Sequence, residues 1–313
     1  MGQSILLRGT VMLACVAAWS CSEAPNAPNP QESSDPQAII GGAPTDDAKY
    51  AAVGALGWFY PGYGVIDVFC SGTLVAPQAI VTARHCTPSI DLAFEIGVVP
   101  VFVFGSDAFA STDVVPITSY VTAPPSPQPN GGLLLDGGRD VAVAQLESAV
   151  THVVPAKLGL FDDSFIGDQF QIAGYGINDV SFGVGQKFSG VVTARATHGR
   201  WYNLLFNGDY DAYLAWYFTD SAAAIPSDAE AKEWWKIYRL ENRYELLAGG
   251  LPGESVGCYG DSGGPLLLGT SADNLTTYGV SFAVEATFSS VCGLGGAYAV
   301  FNQQMLDFVE GAL

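Results

Sequence analysis

Cys258-Tyr259-Gly260-Asp261-Ser262-Gly263-Gly264-Pro265 sets one serine between an aspartate and two glycines and closes the run with a proline. A serine hydroxyl is a poor nucleophile unless a base takes its proton and donors hold the oxyanion it creates. Glycines on either side let backbone N–H groups approach a substrate carbonyl, because no Cβ intervenes. The plainer reading is a Gly-rich turn that contains a serine. The remainder of the chain chooses between the two by offering, or not offering, a base and an acid to orient it.

The chain has three histidines. His152 in Thr151-His152-Val153-Val154 and His198 in Thr197-His198-Gly199 have no polar neighbours suited to catalysis and read as structural. His85 ends the segment Thr82-Ala83-Arg84-His85-Cys86, which follows an apolar strand-like run, Ala79-Ile80-Val81-Thr82. Cys70 and Cys86 bracket a hairpin there, so a disulfide between them would clamp the histidine at a strand end. Asp140 opens a second apolar run, Asp140-Val141-Ala142-Val143, and a buried aspartate can fix an imidazole's tautomer.

The 313 residues suffice for one large or two small domains. Charged residues make up only 14%, against 49% hydrophobic, with 37 glycines and 18 prolines, which suits a loop-rich β protein. A net charge of −19 without a basic cluster argues against nucleic acid or anionic membrane surfaces as partners. Arg8 precedes an apolar run, Val11 to Trp19, that is too short to span a bilayer and reads as an export signal over residues 1–20. Cys21, followed by a Pro/Asn/Ser/Gln stretch, resembles the lipidated cysteine of a bacterial lipoprotein, although Trp19 occupies a place where such signals carry a small residue. Either secretion or lipid anchoring through Cys21 at the cell envelope puts the mature protein in an oxidising compartment. Of six cysteines, Cys15 and Cys21 belong to the leader. Cys70, Cys86, Cys258 and Cys292 leave three possible pairings, and no spacing suggests a metal site.

Short β-branched runs broken by Gly, Pro, Asn and Asp predict an all-β barrel or sandwich. They include Gly64–Phe69, Val99–Phe104, Val114–Val121, Phe170–Ala173, Gly190–Thr193 and Tyr278–Val284. Pro124–Gly132 reads as an exposed loop. A capping box at Ser227 and Glu230 predicts a helix over Ala229–Leu247, an insertion with one aromatic stripe. A second helix is expected over Gln303–Glu310. The acidic pairs Asp162-Asp163 and Asp209-Tyr210-Asp211 read as solvated turns, since neither completes a calcium loop.

Four segments in order carry a family resemblance: Ile39-Ile40-Gly41-Gly42, Thr82-Ala83-Arg84-His85-Cys86, Asp140-Val141-Ala142-Val143 and Gly260-Asp261-Ser262-Gly263-Gly264-Pro265. The chain resembles the chymotrypsin/trypsin-like serine proteases, whose triad runs His, Asp, Ser along the sequence. The resemblance covers residues 39–313, with 200–253 poorly matched. It implies two packed six-stranded antiparallel barrels, about 39–150 and 165–300, with a C-terminal helix about 303–310, after a tether or propeptide over 21–38. It also implies catalysis by His85, Asp140 and Ser262, with an oxyanion hole of Gly260 and Ser262 N–H groups. The disulfides it implies are Cys70–Cys86 and Cys258–Cys292. A newly cut Ile39 terminus would pair with Asp261, so the uncut chain would be a zymogen. Neither a cofactor nor a metal is implied, and the protein is expected to act as a monomer on protein or peptide substrates.

Three departures matter. Val256 stands at the floor of the specificity pocket, where cleavage after Arg or Lys needs an aspartate. With Gly257, Ser281, Phe282, Ala283 and Gly296 it implies a modest apolar pocket. Ala38 before Ile39 argues against a tryptic activator and is compatible with self-processing. Arg84 replaces a small residue, either as a tolerated change or as a charge that disfavours the imidazolium. A protease-shaped binding module and a hydrolase of esters are the alternatives. Three intact triad residues weigh against the first, and an edge strand suited to an extended peptide weighs against the second.

Overall fold

Val53–Tyr60 (β1) and Gly64–Ala76 (β2) pair antiparallel across a tight turn at Gly62 and Gly64, both with positive φ, where glycine is unstrained. Ala79–Thr82 (β3), Val99–Val103 (β4), Val114–Thr122 (β5) and Ala142–Leu146 (β6) complete a closed barrel in the order β1-β2-β3-β6-β5-β4. Leu56, Leu74, Ile80 and Phe102 fill it and are fully buried, each worth roughly 1.5–3 kcal/mol of apolar transfer. The Phe102 ring sets one sequence requirement. A Cβ on Gly54 would fall 2.4 Å from it.

Six further strands form the second barrel: Gln169–Gly174 (β7), Phe188–Ala196 (β8), Glu245–Ala248 (β9), Pro265–Leu268 (β10), Thr276–Val284 (β11) and Gly296–Val300 (β12). Their order, β8-β9-β12-β11-β10-β7 with β7 returning to β8, repeats the connectivity of the first. Two six-stranded antiparallel barrels with few helices are the fold expected from the sequence. The computed structural model describes residues 39–126, 139–177, 183–219, 227–285 and 292–313. The expected export signal, Cys21, Ala38 and the Pro124–Gly132 loop from Pro127 onward lie outside the described residues.

Helices are peripheral. Thr87–Ile96 (α1) follows His85 directly, starts on Pro88 and stops at Gly97 with φ 76°. That Pro-start, Gly-stop signature was legible but was not read in the sequence. Trp201–Leu205 (α2), Tyr210–Thr219 (α3) and Asp228–Ile237 (α4) make up the insertion between β8 and β9, and Gln303–Gly311 (α5) closes the chain. Ser227 caps α4 by accepting from Glu230 N–H, as the capping box predicts.

The predicted helix over Ala229–Leu247 is corrected at its C-terminal half. α4 ends at Ile237, and Tyr238 turns to ψ 120°. Arg239–Leu240 then pairs with Gly199–Arg200, and Glu245–Ala248 enters the barrel opposite Gly296–Ala299. Short apolar runs do not distinguish helix from buried strand. Here the open ladder edge of β12 decides, and Leu246 and Leu247 become fully buried. The predicted aromatic stripe therefore belongs to several elements. Of its residues Trp234, Ile237, Tyr238, Glu241, Tyr244 and Leu247, the first two lie on α4 and Leu247 on β9, while Trp234 joins Tyr202, Tyr213, Trp216 and Tyr217 of α2 and α3 in one ring cluster.

Candidate active site

A strand end, a loop and a β-turn meet at the seam of the barrels. β3 ends at Thr82, and the chain turns at once into a short 3-10 turn, Arg84–Cys86, that carries His85. Asp140 lies just before β6, the neighbour of β3 in the ladder, so sheet register brings it beside His85. Its carboxylate holds the histidine twice: Oδ2 lies 2.7 Å from Nδ1, and Oδ1 accepts the His85 backbone N–H at 2.8 Å. Asp140 is nearly buried at 3% side-chain exposure while His85 keeps 26% and stays partly open to solvent. Arg84 directs its guanidinium onto the Ala123 carbonyl at 3.0 Å.

Ser262 reaches this place from the other barrel. Its carbonyl accepts the N–H of Ser71 at 2.8 Å and lies 3.8 Å from Sγ of Cys86, the residue after His85. Gly263 permits the approach: a Cβ there would stand 2.1 Å from Thr82 Oγ1 and 2.3 Å from the Ser71 carbonyl. Gly263 N–H donates to the Ser281 carbonyl at 2.7 Å, and Ser281 N–H to the Gly264 carbonyl at 2.8 Å, which ties the turn to β11.

The N–H groups of Gly260 and Ser262 are oriented by the carbonyls opposite them. Tyr259 C=O accepts from Ile177 N–H at 2.6 Å and Asp261 C=O from Gly264 N–H at 2.8 Å. In a trans peptide the N–H points away from that carbonyl. Among the described residues neither N–H has an acceptor. Gly260 holds φ 96°, and a Cβ there would sit 2.8 Å from Cα of Gly176.

Asp261 turns inward beneath Ser262. It is 4% exposed, and its two oxygens accept the N–H groups of Gly176 and Cys258, each at 2.8 Å. Burial raises its pKa to about 6, against the pull of those two donors. Among the described residues it has no cationic partner. Ile39 is 1% exposed, and Ile40 bridges Val256, two residues before Cys258.

Of the predicted pocket residues, Val256, Gly257, Ser281, Phe282 and Gly296 are buried and Ala283 is half-buried. Ala283 pairs Ala297 and Val284 pairs Gly296, so the two strands stand side by side. Tyr298 was not anticipated. Fully buried, its hydroxyl would lie 3.7 Å from a Cβ on Gly296, and burial together with the Asp261 charge raises its pKa. Ser71, Tyr175 and Gly176 were missed too. The Gly174-Tyr175-Gly176 run after β7 was a signal for close approach, and a Cβ on Gly176 would lie 2.6 Å from the Asp261 carboxyl carbon.

The disulfides join Cys70 to Cys86 and Cys258 to Cys292. They suit an oxidising, extracytoplasmic setting. Cys70, Cys86 and His85 cluster tightly, but both sulfurs are spent in the disulfide, which leaves one imidazole and no thiolate ligand. His152 pairs with Asp113 at 2.6 Å on the surface, and His198 is exposed. Asp162 and Asp209 cap local turns.

The insertion also touches this region. Arg139, next to Asp140, lies 3.6 Å from Glu241 and has its guanidinium 4.4 Å from the Tyr244 ring centre. Glu285, just past β11, accepts Trp201 Nε1–H at 2.9 Å, and burial raises its pKa to about 7.

Known proteins point the same way. The chain is 22% identical over 307 residues to melanization protease 1 of Drosophila melanogaster, covering 91% of this chain and 68% of that one. A trypsin of Saccharopolyspora erythraea is 26% identical over 238 residues, covering 76% and 87%. Phenoloxidase-activating factor 3 of Holotrichia diomphalia is 25% identical over 291 residues, covering 87% and 71%. The family model for trypsin matches residues 39–204, which takes in His85 and Asp140 and ends before Ser262. With both barrels in place and half the chain matched by that model, the protein belongs to the trypsin family of serine proteases.

Proposed function

We propose that the chain is a serine endopeptidase, made as a zymogen and cut before Ile39. The observation that carries this is the two-point hold of Asp140 on His85, 2.7 and 2.8 Å, beside the Ser262 turn. In the proposed reaction His85 Nε2 takes the Ser262 hydroxyl proton as Oγ adds to a peptide carbonyl. The N–H groups of Gly260 and Ser262 receive the oxyanion. Collapse breaks the C–N bond, with His85 returning its proton to the leaving amine. Water then adds through the same base and releases the acid and the free serine.

Activation by cutting is supported at Ile39 itself. In the uncut chain this β-branched residue sits at φ 50°, a left-handed conformation costing on the order of 1–3 kcal/mol. A cut before Ile39 removes that constraint and creates an ammonium with a pKa near ~8, next to Ile40, which bridges Val256 two residues before the Asp261 donor Cys258. Cleavage is assigned to bonds after small or medium apolar residues, because Val256 rather than an acid stands at the pocket floor. Ala38 fits such a pocket, so self-processing follows from the same reading. The natural substrates are assigned as proteins or peptides met outside the cytoplasm, by a monomer that is secreted or anchored through lipid on Cys21.

The test uses the chain with a specific endopeptidase site in place of residues 35–38, before and after cutting, beside Ser262→Ala. A fluorophosphonate should label the cut protein only. Absence of label on folded protein with a confirmed Ile39 terminus would make it a binding protein instead. Peptide-library cleavage dominated by Arg or Lys would overturn the assigned preference.

A further inference from the structure

Ser71 is a strand residue of the first barrel, yet its polar groups grip both ends of the Asp261-Ser262 unit of the second. Its backbone N–H donates to the Ser262 carbonyl at 2.8 Å, and its hydroxyl donates to the Gly260 carbonyl at 2.8 Å. The direction of that second bond is fixed by chemistry. The same Oγ accepts from the Tyr175 N–H at 2.9 Å, and an amide can only donate, so the one hydroxyl proton goes to Gly260. Ser71 is fully buried, so no water substitutes for it. Thr82 Oγ1 donates to the Ser71 carbonyl at 2.8 Å and holds the residue from its other side.

Resting on the reading of the site as a serine peptidase, we infer that the Ser71 hydroxyl is a positioning residue for the oxyanion hole. Gly260 has no side chain to hold its φ 96° conformation, so its orientation depends on the peptides on either side. One is held by Ile177 N–H on the Tyr259 carbonyl, the other by Ser71 Oγ on the Gly260 carbonyl at one edge and by Asp261 N–H on the Cys258 carbonyl, 3.0 Å, at the other. Without the hydroxyl, the second peptide keeps only the Asp261 N–H bond, and the part-buried Gly260 C=O and the buried Tyr175 N–H lose their partner together. The Gly260 N–H then loses its fixed aim. Because the oxyanion forms only as the carbonyl is attacked, the loss falls on the transition state and not on substrate binding. Cys70, the preceding residue, carries the disulfide to Cys86 beside His85. A single dipeptide of β2 thus sets the base and the oxyanion donors against each other.

The experiment compares the processed protein with Ser71→Ala and with Thr277→Val. Thr277 is a buried hydroxyl of β11 bonded to its own strand at Gly279, and it has no bond to the turn among the described residues. Deleting a whole oxyanion donor costs roughly two to three decades in kcat, so loosening one should cost about tenfold. For Ser71→Ala, kcat and the rate of fluorophosphonate labelling should fall about tenfold while KM stays within about twofold. The inhibition constant of a peptide boronic acid, which mimics the tetrahedral state, should weaken by the same factor as kcat/KM. Thr277→Val should lose thermal stability and keep its kcat. Ser71→Ala with unchanged kcat overturns the inference, and so does a kcat loss that Thr277→Val reproduces. Wild-type protein that takes no label overturns the peptidase reading and this inference with it, whereas labelled wild type with an unaffected Ser71→Ala overturns this inference alone.

Discussion

Asp140 holds His85 by side chain and main chain at once, Oδ2 to Nδ1 at 2.7 Å and Oδ1 to the backbone N–H at 2.8 Å. The main-chain bond fixes where the histidine stands, and the side-chain bond fixes which ring nitrogen carries the proton. Asp140→Asn should therefore leave the fold intact and remove most turnover. By the arithmetic of a wrong tautomer, kcat should fall by about three to four decades with little change in Tm. Steady-state hydrolysis of a peptide ester, beside a melting curve, measures both.

Asp261 makes stability depend on pH in the uncut chain. Its folded pKa of about 6 exceeds the unfolded 3.8, so the folded chain binds the proton more tightly. The stabilisation is then fully present below pH 3.8 and is lost as pH rises through about 6. Two units correspond to about 3 kcal/mol at most. Urea titrations at pH 4 to 7 should show this decline in the uncut chain, and it should be smaller by that amount in Asp261→Asn. After cutting, the Ile39 ammonium should oppose the decline. An identical slope in both uncut proteins would refute the assignment.

Gly263→Ala should unfold the junction of the barrels. The added Cβ would meet Thr82 Oγ1 and the Ser71 carbonyl at 2.1 and 2.3 Å, and φ is 82°. The backbone strain and the forced displacement should together cost about 3 kcal/mol or more. Circular dichroism melts should show the loss, together with loss of fluorophosphonate labelling.

The Cys70–Cys86 bridge spans a separation of 16 residues. By chain-entropy reasoning its removal in a Cys70→Ala, Cys86→Ala pair should cost about 3 kcal/mol in denaturant unfolding. Activity should fall further than stability alone predicts, because the bridge joins His85 to the strand that carries Ser71.

Much of this was legible. Turn residues between β-branched runs announced an all-β barrel or sandwich, the four matching segments implied two barrels, and Ser227 and Glu230 announced the start of α4. The end of α4 was not legible. Tyr238, Tyr244 and Leu247 continue a helical spacing that the ladder partner of Glu245–Ala248 overrides, since an open sheet edge at Gly296–Val300 satisfies the backbone groups from Tyr244 to Ala248. Ser71 was not legible, because a lone serine in an apolar strand carries no motif.

Sequence by itself determined the chemical inventory: His85, Asp140 and Ser262 in that order, and four cysteines from Cys70 onward. Residue type and local spacing are short-range information, which a chain displays unfolded. Tertiary structure decided how those groups work on one another. The Ser71 hydroxyl meets the Gly260 carbonyl across 189 residues of chain, and Asp261 acquires its high proton affinity from being shut away from water. Hydrogen-bond partners and desolvation belong to neighbourhoods that exist only once the two barrels have closed on each other.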